Sequence, residues 1–381
     1  MSVDNKIYAS ACDGYEYHNI KTIVSDHLDN IISENYNGFD FQGKNVAIKP
    51  NLLAKRSPDA GITTNPAFVR ACAEYFVQKG ANVVVCDSPG GVYNTSSMNG
   101  IYSVCGMKAA ADMSGASVNL DLGHTEMFNT DGVMSKSFSV INPLAKADFI
   151  VNLCRLKTHS LCNMSAAVKN MYGSIPGLMK AEQHARFPEQ KDFSRYLIDL
   201  CKTVKPDITI IDSIIAMEGN GPAGGTLKKV GLIMSCKSPY VLDRVCCHIM
   251  GFSPDEVLTV KNCIEMGLCP YDISKIEIVG EDIEKYVSRF KLPDSSAGGI
   301  IKQLPSLFGG RLRKWLEPRP FIVKKKCVGC GECAKCCPQE TIDIINKKAV
   351  INYDKCIKCY CCQELCPMKA VSIKQNFVMK L

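Results

Sequence analysis

Short apolar runs rich in β-branched residues alternate with stretches whose apolar positions recur every three or four residues, and this alternation holds through most of the chain. The runs NVAI (45–48), NVVVCD (82–87), FIVNL (149–153), DITIID (207–212), VGLIM (230–234) and KIEIVG (275–280) read as strands. The stretches at 66–80, 96–114, 189–204, 238–250 and 254–266 read as amphipathic helices. Strands that are apolar throughout are covered on both sides. The pattern therefore predicts an α/β fold, a mostly parallel sheet with helices on both faces. The helix at 66 carries its own end signals: Asn65 as cap, Pro66 in the first turn and Gly80 at the stop.

The alternation ends near residue 285. Residues 286–320 hold DSSAGG, LPSLFGG and EPRP, Pro/Gly punctuation without a period, and read as a connector with a short helix around Arg311–Leu316. The expected division is an α/β domain at 1–285, a linker at 286–320 and a small α+β module at 321–381. With 381 residues the chain is long enough for the first part to bury a substantial core of its own.

Cysteine spacing dominates the last part. CVGCGECAKCCP (327–338) recurs as CIKCYCCQELCP (356–367), both matching CxxCxxCxxxCP. In that spacing three thiolates wrap one cubane cluster while the Cys before the proline ligates the other. One [4Fe-4S] cluster is thus assigned Cys327, Cys330, Cys333 and Cys366, and the second Cys356, Cys359, Cys362 and Cys337. A shift of 29 residues superposes not only these ligands but Lys326 on Lys355, Ile342 on Val371 and Ile344 on Ile373, the mark of a duplicated unit. Cys336 and Cys361 fall outside the pattern and read as small buried hydrophobes packed against a cluster. Zinc is the alternative use of CxxC pairs; two complete copies of the longer motif favour iron and sulfur. The segment resembles a bacterial-type two-cluster ferredoxin. That resemblance implies low-potential, one-electron transfer and a redox partner protein as donor or acceptor.

The remaining twelve cysteines are scattered through apolar segments and read as reduced thiols, which with oxygen-sensitive clusters suggests an anaerobic setting. The amino terminus lacks an apolar run, and no stretch approaches the roughly eighteen apolar residues of a membrane helix, so a soluble cytoplasmic protein is expected, with no membrane partner. The net charge of +7 sits almost wholly in residues 321–381, where eleven Lys face five Asp and Glu. Each four-thiolate cluster contributes about −2, so most of this surplus offsets cluster charge. Nucleic acid is not an expected partner; Lys324–Lys326 and Arg311, Arg313 and Lys314 read as solvated faces or as docking patches for an acidic redox protein.

Polar clusters follow the predicted strands: Lys49–Asn51, Asp87–Gly91, Lys157–His159 and Glu218–Pro222. In a parallel sheet these loops gather at the carboxyl edge, where ligands bind. Within them Lys49, Lys157 and Lys169 suit a carboxylate or phosphate, Asn51 and Asn170 suit orientation, and His159 suits proton donation. GNGPAG (219–224) fits GxGxxG formally, but it leads toward a strand rather than opening a helix and reads as a loop. Cys154, His159 and Cys162 could hold a third metal only through irregular spacing; buried thiols are the simpler reading. The motifs KPN, DSPGG, KTH, KN (169–170) and EGNGP make the chain similar to the domain-of-unknown-function family 362 over residues 1–280, many members of which carry a C-terminal ferredoxin module. The resemblance implies this two-part architecture and makes Lys49, Asn51, Asp87, Lys157, His159, Lys169, Asn170 and Glu218 candidate site residues, but supplies no reaction. The leading expectation is an iron-sulfur oxidoreductase delivering electrons to a small polar or anionic substrate or cofactor in the α/β domain. The alternative is an electron carrier whose large domain docks partner enzymes. A deep cleft at the strand ends would favour the first and a flat surface the second.

Overall fold

The computed structural model of the protein describes residues 5–296 and 317–374. The strands of the α/β part, in chain order, are β1 (Lys6–Ala11), β2 (Asn45–Pro50), β3 (Asn82–Val85), β4 (Ser117–Val118), β5 (His124–Phe128), β6 (Ser137–Ile141), β7 (Phe149–His159), β8 (Asn163–Ser165), β9 (Ile208–Glu218), β10 (Thr226–Cys236) and β11 (Glu277–Gly280). They form one sheet in the order β11-β1-β10-β9-β7-β2-β3-β4, with β8 hooked onto the end of β7 and β5-β6 as a separate hairpin. From β9 to β4 every neighbour on this path is parallel, whereas β10 pairs antiparallel with both β9 and β1. The expected mostly parallel α/β sheet is present, widened by an antiparallel segment.

Side-chain alternation sends each central strand to two cores. On β2, Val46 and Ile48 enter one cluster with Phe68, Phe76 and Phe149, while Ala47 faces the other with Leu197, Leu242 and Val245. Helices Tyr17–Asn35 and Pro66–Gln78 cover the first face; Gln190–Val204 and Pro239–Ile249 cover the second. All eleven residues of β7 are buried, the pattern of a central strand. The Asn65 side chain caps Pro66–Gln78 by accepting from Ala67 N, in line with its position in the sequence.

Three readings shift. The stretch 96–114 is two helices, Thr95–Val104 and Met107–Ser114, broken where Gly106 adopts φ +76° against Pro66. Lys157–His159 is not a loop: it ends β7 and pairs with β8, with Lys157 opposite Ser165 and His159 opposite Asn163. The alternation pattern also missed β1 and Tyr17–Asn35. Residues 286–296 of the expected linker pack onto the α/β part, where Phe290 is buried and its N–H bonds Met250 O. The rest of that linker, including the short helix expected at 311–316, lies largely outside the described residues.

In the cysteine-rich part, Arg319–Ile322 pairs with Val371–Lys374 and Ile342–Ile345 pairs with Lys348–Ile351, both antiparallel. Duplication is visible in the backbone. Left-handed conformations occur at Gly329 (φ 72°) and Lys358 (58°), at Gly331 (82°) and Tyr360 (63°), and at Glu340 (49°) and Lys369 (48°), each pair 29 residues apart. Non-glycine residues hold this region at some cost, so the shape of the loop, not residue type, is what repeats. Among the described residues no helix is long and apolar enough to cross a membrane.

Candidate functional site

The carboxyl ends of β2, β3 and β7 and the β9-β10 connection converge, as parallel strands require. A cleft opens there, lined by Asn51, Asp87, Lys157, His159, Lys169 and Asn170. The opposite wall belongs to the cysteine-rich part: Cys336, Cys361, Glu364 and Leu365 face the same space.

Asp87 organises the floor. One carboxylate oxygen accepts from Lys49 Nζ at 2.9 Å and Ser88 N at 2.9 Å, the other from Leu52 N at 2.7 Å. Lys49 and Asp87 are 0% and 2% exposed, so this is a fully desolvated pair. Lys49 was expected to bind a ligand; its head is instead consumed by Asp87 and it does not line the cleft. Glu218 is also displaced from its expected role. β9 runs to residue 218 and delivers its carboxylate away from the cleft, to Lys228, Lys291 and the Lys291 N–H. Asn51 accepts from Lys157 Nζ at 2.5 Å, and Ile62 O accepts from the same amine at 2.8 Å. Asn170 donates to Asn152 Oδ1 at 2.7 Å, leaving its own buried Oδ1 without a partner.

His159 is held by the turn between β7 and β8. Its Nδ1 accepts from Leu161 N at 3.0 Å and Cys162 N at 3.3 Å, which places the ring proton on Nε2. Nε2 lies 2.9 Å from Glu364 Oε1, yet the two are poorly aligned, and both atoms remain buried without a hydrogen bond. Burial, reinforced by Lys169, pushes His159 down to about 4. Burial alone would raise Glu364, but the facing His159 and His184 and the nearby Lys169 together hold it below the usual carboxylate range. At neutral pH the imidazole of His159 is neutral, and the anionic carboxylate rests on Lys169 and on the dipole of the Nε2–H that faces it.

Two lysines are displaced in the other direction from surface lysines. Burial, with Arg155 and Lys169 nearby, brings Lys157 down to about 7. Burial also brings Lys180 to about 7, against the pull of Asp87; its amine donates to Ser88 O and Ile175 O. A folded value below the unfolded one means the unfolded chain binds more protons between about pH 7 and 10.5, so these lysines make stability rise with pH across that window. An anion seated beside them favours the charged amines and draws protons in. Calorimetry with oxalate as probe at pH 8, in buffers of different ionisation enthalpy, should register proton uptake that disappears below about pH 6. Net release of protons would contradict these assignments.

The two parts of the chain are joined around the cleft. Gln363 accepts from Ser160 Oγ at 2.9 Å and donates to Asn220 O at 3.3 Å. Arg56 donates to Cys366 O and Pro367 O, and Leu365 packs where a Cβ on Gly90 would stand 3.2 Å away.

The cysteines expected as ligands gather in two cages. Cys327, Cys330, Cys333 and Cys366 line one small space; Cys337, Cys356, Cys359 and Cys362 line another. Backbone N–H groups point at the sulfurs, Ala349 at Cys327 (3.4 Å), Ala370 at Cys366 (3.2 Å) and Thr341 at Cys337 (3.4 Å). Four thiolates with amide donors around a small apolar space fit an iron-sulfur cubane. Cys361 lines both the second cage and the cleft, forming the partition between them. Cys154 turns to Ile210 O and His159 Nδ1 is occupied by backbone, so no third metal site forms there.

The family described as "Domain of unknown function (DUF362)" matches residues 46–248, just over half of the chain. The chain belongs to the DUF362 family. A 4Fe-4S dicluster domain matches residues 319–367, so this DUF362 protein carries an iron-sulfur, ferredoxin-type electron-transfer module. The thylakoid-associated protein sll1697 of Synechocystis sp. is 29% identical over 259 residues, 66% of this chain and 77% of that protein. The lactate racemase apoprotein of Thermoanaerobacterium thermosaccharolyticum aligns at TM-score 0.41 and 11% identity, over 66% of this chain and 58% of that one, a likeness that says nothing about chemistry.

The DUF362 motifs acquire physical reasons. A Cβ on Gly221 would sit 2.1 Å from Thr158 O, so the glycine of EGNGP lets the β9-β10 connection lie against the end of β7. There Ser160 N and Oγ donate to Gly221 O, and Thr158 Oγ1 to Gly219 O. Gly173 approaches Asp87 and Lys49 so closely that a Cβ would meet Asp87 Oδ1 at 1.9 Å. Lys180 and Glu364 drew no expectation from the sequence; His184 lines the cleft and also stacks on Phe193 at 4.4 Å. A basic residue after the Gly177 turn was the available signal for Lys180. For Glu364 there was none.

Proposed function

We propose that this DUF362 protein is an oxidoreductase that carries two [4Fe-4S] clusters and passes electrons to a small anionic substrate, or an anionic cofactor, in the cleft between its two parts. One observation carries the reading: Cys361 separates the second cysteine cage from a cleft whose far side presents Lys157, Lys169, Lys180 and His159. A domain that merely docked partner enzymes would have little use for a lysine-lined cleft beside the cage. The bound clusters supply electrons one at a time.

The chain's own residues handle the anion and the proton. Lys169 is partly exposed at the cleft and attracts the anion, while Lys157 and Lys180 take up its charge within. The Nε2–H of His159, which faces Glu364 at 2.9 Å without a formed hydrogen bond, is free to turn to the anion, and the unpartnered Asn170 Oδ1 accepts from a hydroxyl or amine on the same molecule. Proton donation was expected of His159. With that ring down at about 4 and the Lys157 amine at about 7, Lys157 is the better acid near neutral pH and His159 the orienting donor. Leu365 and Cys361 flank Glu364 on the cage side of the cleft with apolar surface, limiting water near the reacting centre.

The test starts from anaerobically purified protein reduced with dithionite and mixed with a panel of small carboxylates, oxoacids and phosphate esters. Return of the visible cluster absorbance with at least one of them is expected. Lys157→Met should slow that reoxidation ~10²- to 10³-fold with dithionite reduction unchanged. Reoxidation only by a protein acceptor, at equal rates in both proteins, would assign the molecule to the carrier class.

A further inference from the structure

The two cysteine cages differ in what surrounds them. The second abuts the cleft through Cys361. The first opens outward: Cys330 is exposed, alone among the described cysteines, while Cys327, Cys333 and Cys366 are buried. Around that opening stand Val328 (56% exposed), Met368 (47%) and Ile344 (38%), which also line the cage. Exposed large apolar side chains this closely grouped are a feature of contact surfaces.

The rim is cationic. Lys324, Lys325 and Lys326 are exposed on the turn leading into Cys327, Lys347 backs Gly329, and Lys369 follows Met368. Lys348 is turned inward to Cys327 O at 2.6 Å. Of the nearby acids, Glu332 is tied to Lys335 at 2.9 Å, which leaves Asp343 as the exposed carboxylate next to Ile344. Cluster charge inside the cage offsets the module's net charge but not the positive potential at this outer rim.

We propose that this face docks an acidic one-electron carrier protein, whose reduced centre gives one electron to the module at the Cys330 opening with no bond made or broken. The inference rests on the reading that electrons pass through the module toward the cleft. It adds the entry side and the charge of the donor. An apolar centre within a ring of like charge is the arrangement that steers an oppositely charged partner and then excludes water at contact.

The test uses the oxidised holoprotein and a reduced acidic plant-type ferredoxin as probe, following both binding and electron-transfer rate. Association should weaken as salt rises. Lys324→Glu combined with Lys325→Glu and Lys326→Glu should slow association ~10-fold or more at low salt, with iron content unchanged. The same charge change at the opposite edge of the sheet, Lys44→Glu with Lys146→Glu and Lys205→Glu, should have little effect. If the rim triple loses iron, Lys347→Glu with Lys369→Glu carries the same expectation. Rates indifferent to salt and to the rim, or equal losses from both triples, overturn the proposal. Because binding is read without any cleft substrate, failure here leaves the cleft chemistry untouched, and failure of the cleft assay leaves this surface standing.

Discussion

Replacing Cys366 with alanine is expected to lower bound iron from about eight to about four atoms per chain, and to empty the cage built by the first cysteine motif rather than the second. Cys366 belongs in sequence to CIKCYCCQELCP, but its sulfur lines the same space as Cys327, Cys330 and Cys333. Cys337 crosses the other way, into the space of Cys356, Cys359 and Cys362. Iron counts on double variants provide the check. Cys330→Ala with Cys366→Ala should lose no more iron than either alone, because both act on one cage, whereas Cys356→Ala with Cys366→Ala should lose nearly all. Cys336→Ala and Cys361→Ala should keep about eight. Additive loss in the first double variant would show that the motifs do not cross. The crossing also ties the cages to the cleft, because the carbonyl of Cys366 is held by Arg56 of the DUF362 part.

The second large effect is on stability. Asp87→Ala should cost ~3–5 kcal/mol in urea denaturation, the typical consequence of leaving one member of a buried ion pair uncompensated. Lys49 is 0% exposed and has no other charge to turn to; Pro50 O, at 3.3 Å, is its remaining partner. The Leu52 N–H loses its acceptor in the same substitution, whereas Ser88 N keeps Gly173 O at 2.9 Å. Asp87→Leu in a Lys49→Met background should recover part of the loss, because the stranded charge is gone, but not all, because the Leu52 N–H stays unpaired. By comparison, Lys108→Ala removes an exposed pair with Asp112 and should change stability by less than ~0.5 kcal/mol. A cost below ~1 kcal/mol for Asp87→Ala would mean that water reaches Lys49 and that the cleft floor is not the closed structure described above.

These effects also separate what local pattern could reveal from what it could not. The strands at 45–48, 82–87 and 149–153 were legible because a strand apolar on both faces leaves a run that few other structures produce. Both β7 and β9 nevertheless run six residues further than the runs read from the sequence, carrying buried Lys157 and His159 in one and Glu218 in the other. Polar residues inside a strand look like a loop until their partners are known. The nineteen-residue helix Tyr17–Asn35 escaped because its buried positions Ile20, Val24, Leu28 and Ile31 are diluted by His27, Asp26 and other polar residues.

What the sequence determined by itself is the iron-sulfur chemistry and the gathering of polar loops at one edge. A cluster motif places its ligands within a dozen residues, so spacing is geometry, and parallel strands send all their following loops to one side. Only the tertiary structure decided which of those polar residues face a ligand. Lys49 is silenced by a carboxylate 38 positions away, Glu218 is carried past the edge, and His159 meets Glu364 across 205 residues of chain. The wall that turns an edge of loops into a cleft comes from the module at the far end of the sequence. Desolvation, the force that brings the amines of Lys157 and Lys180 near neutrality, exists only in the folded chain.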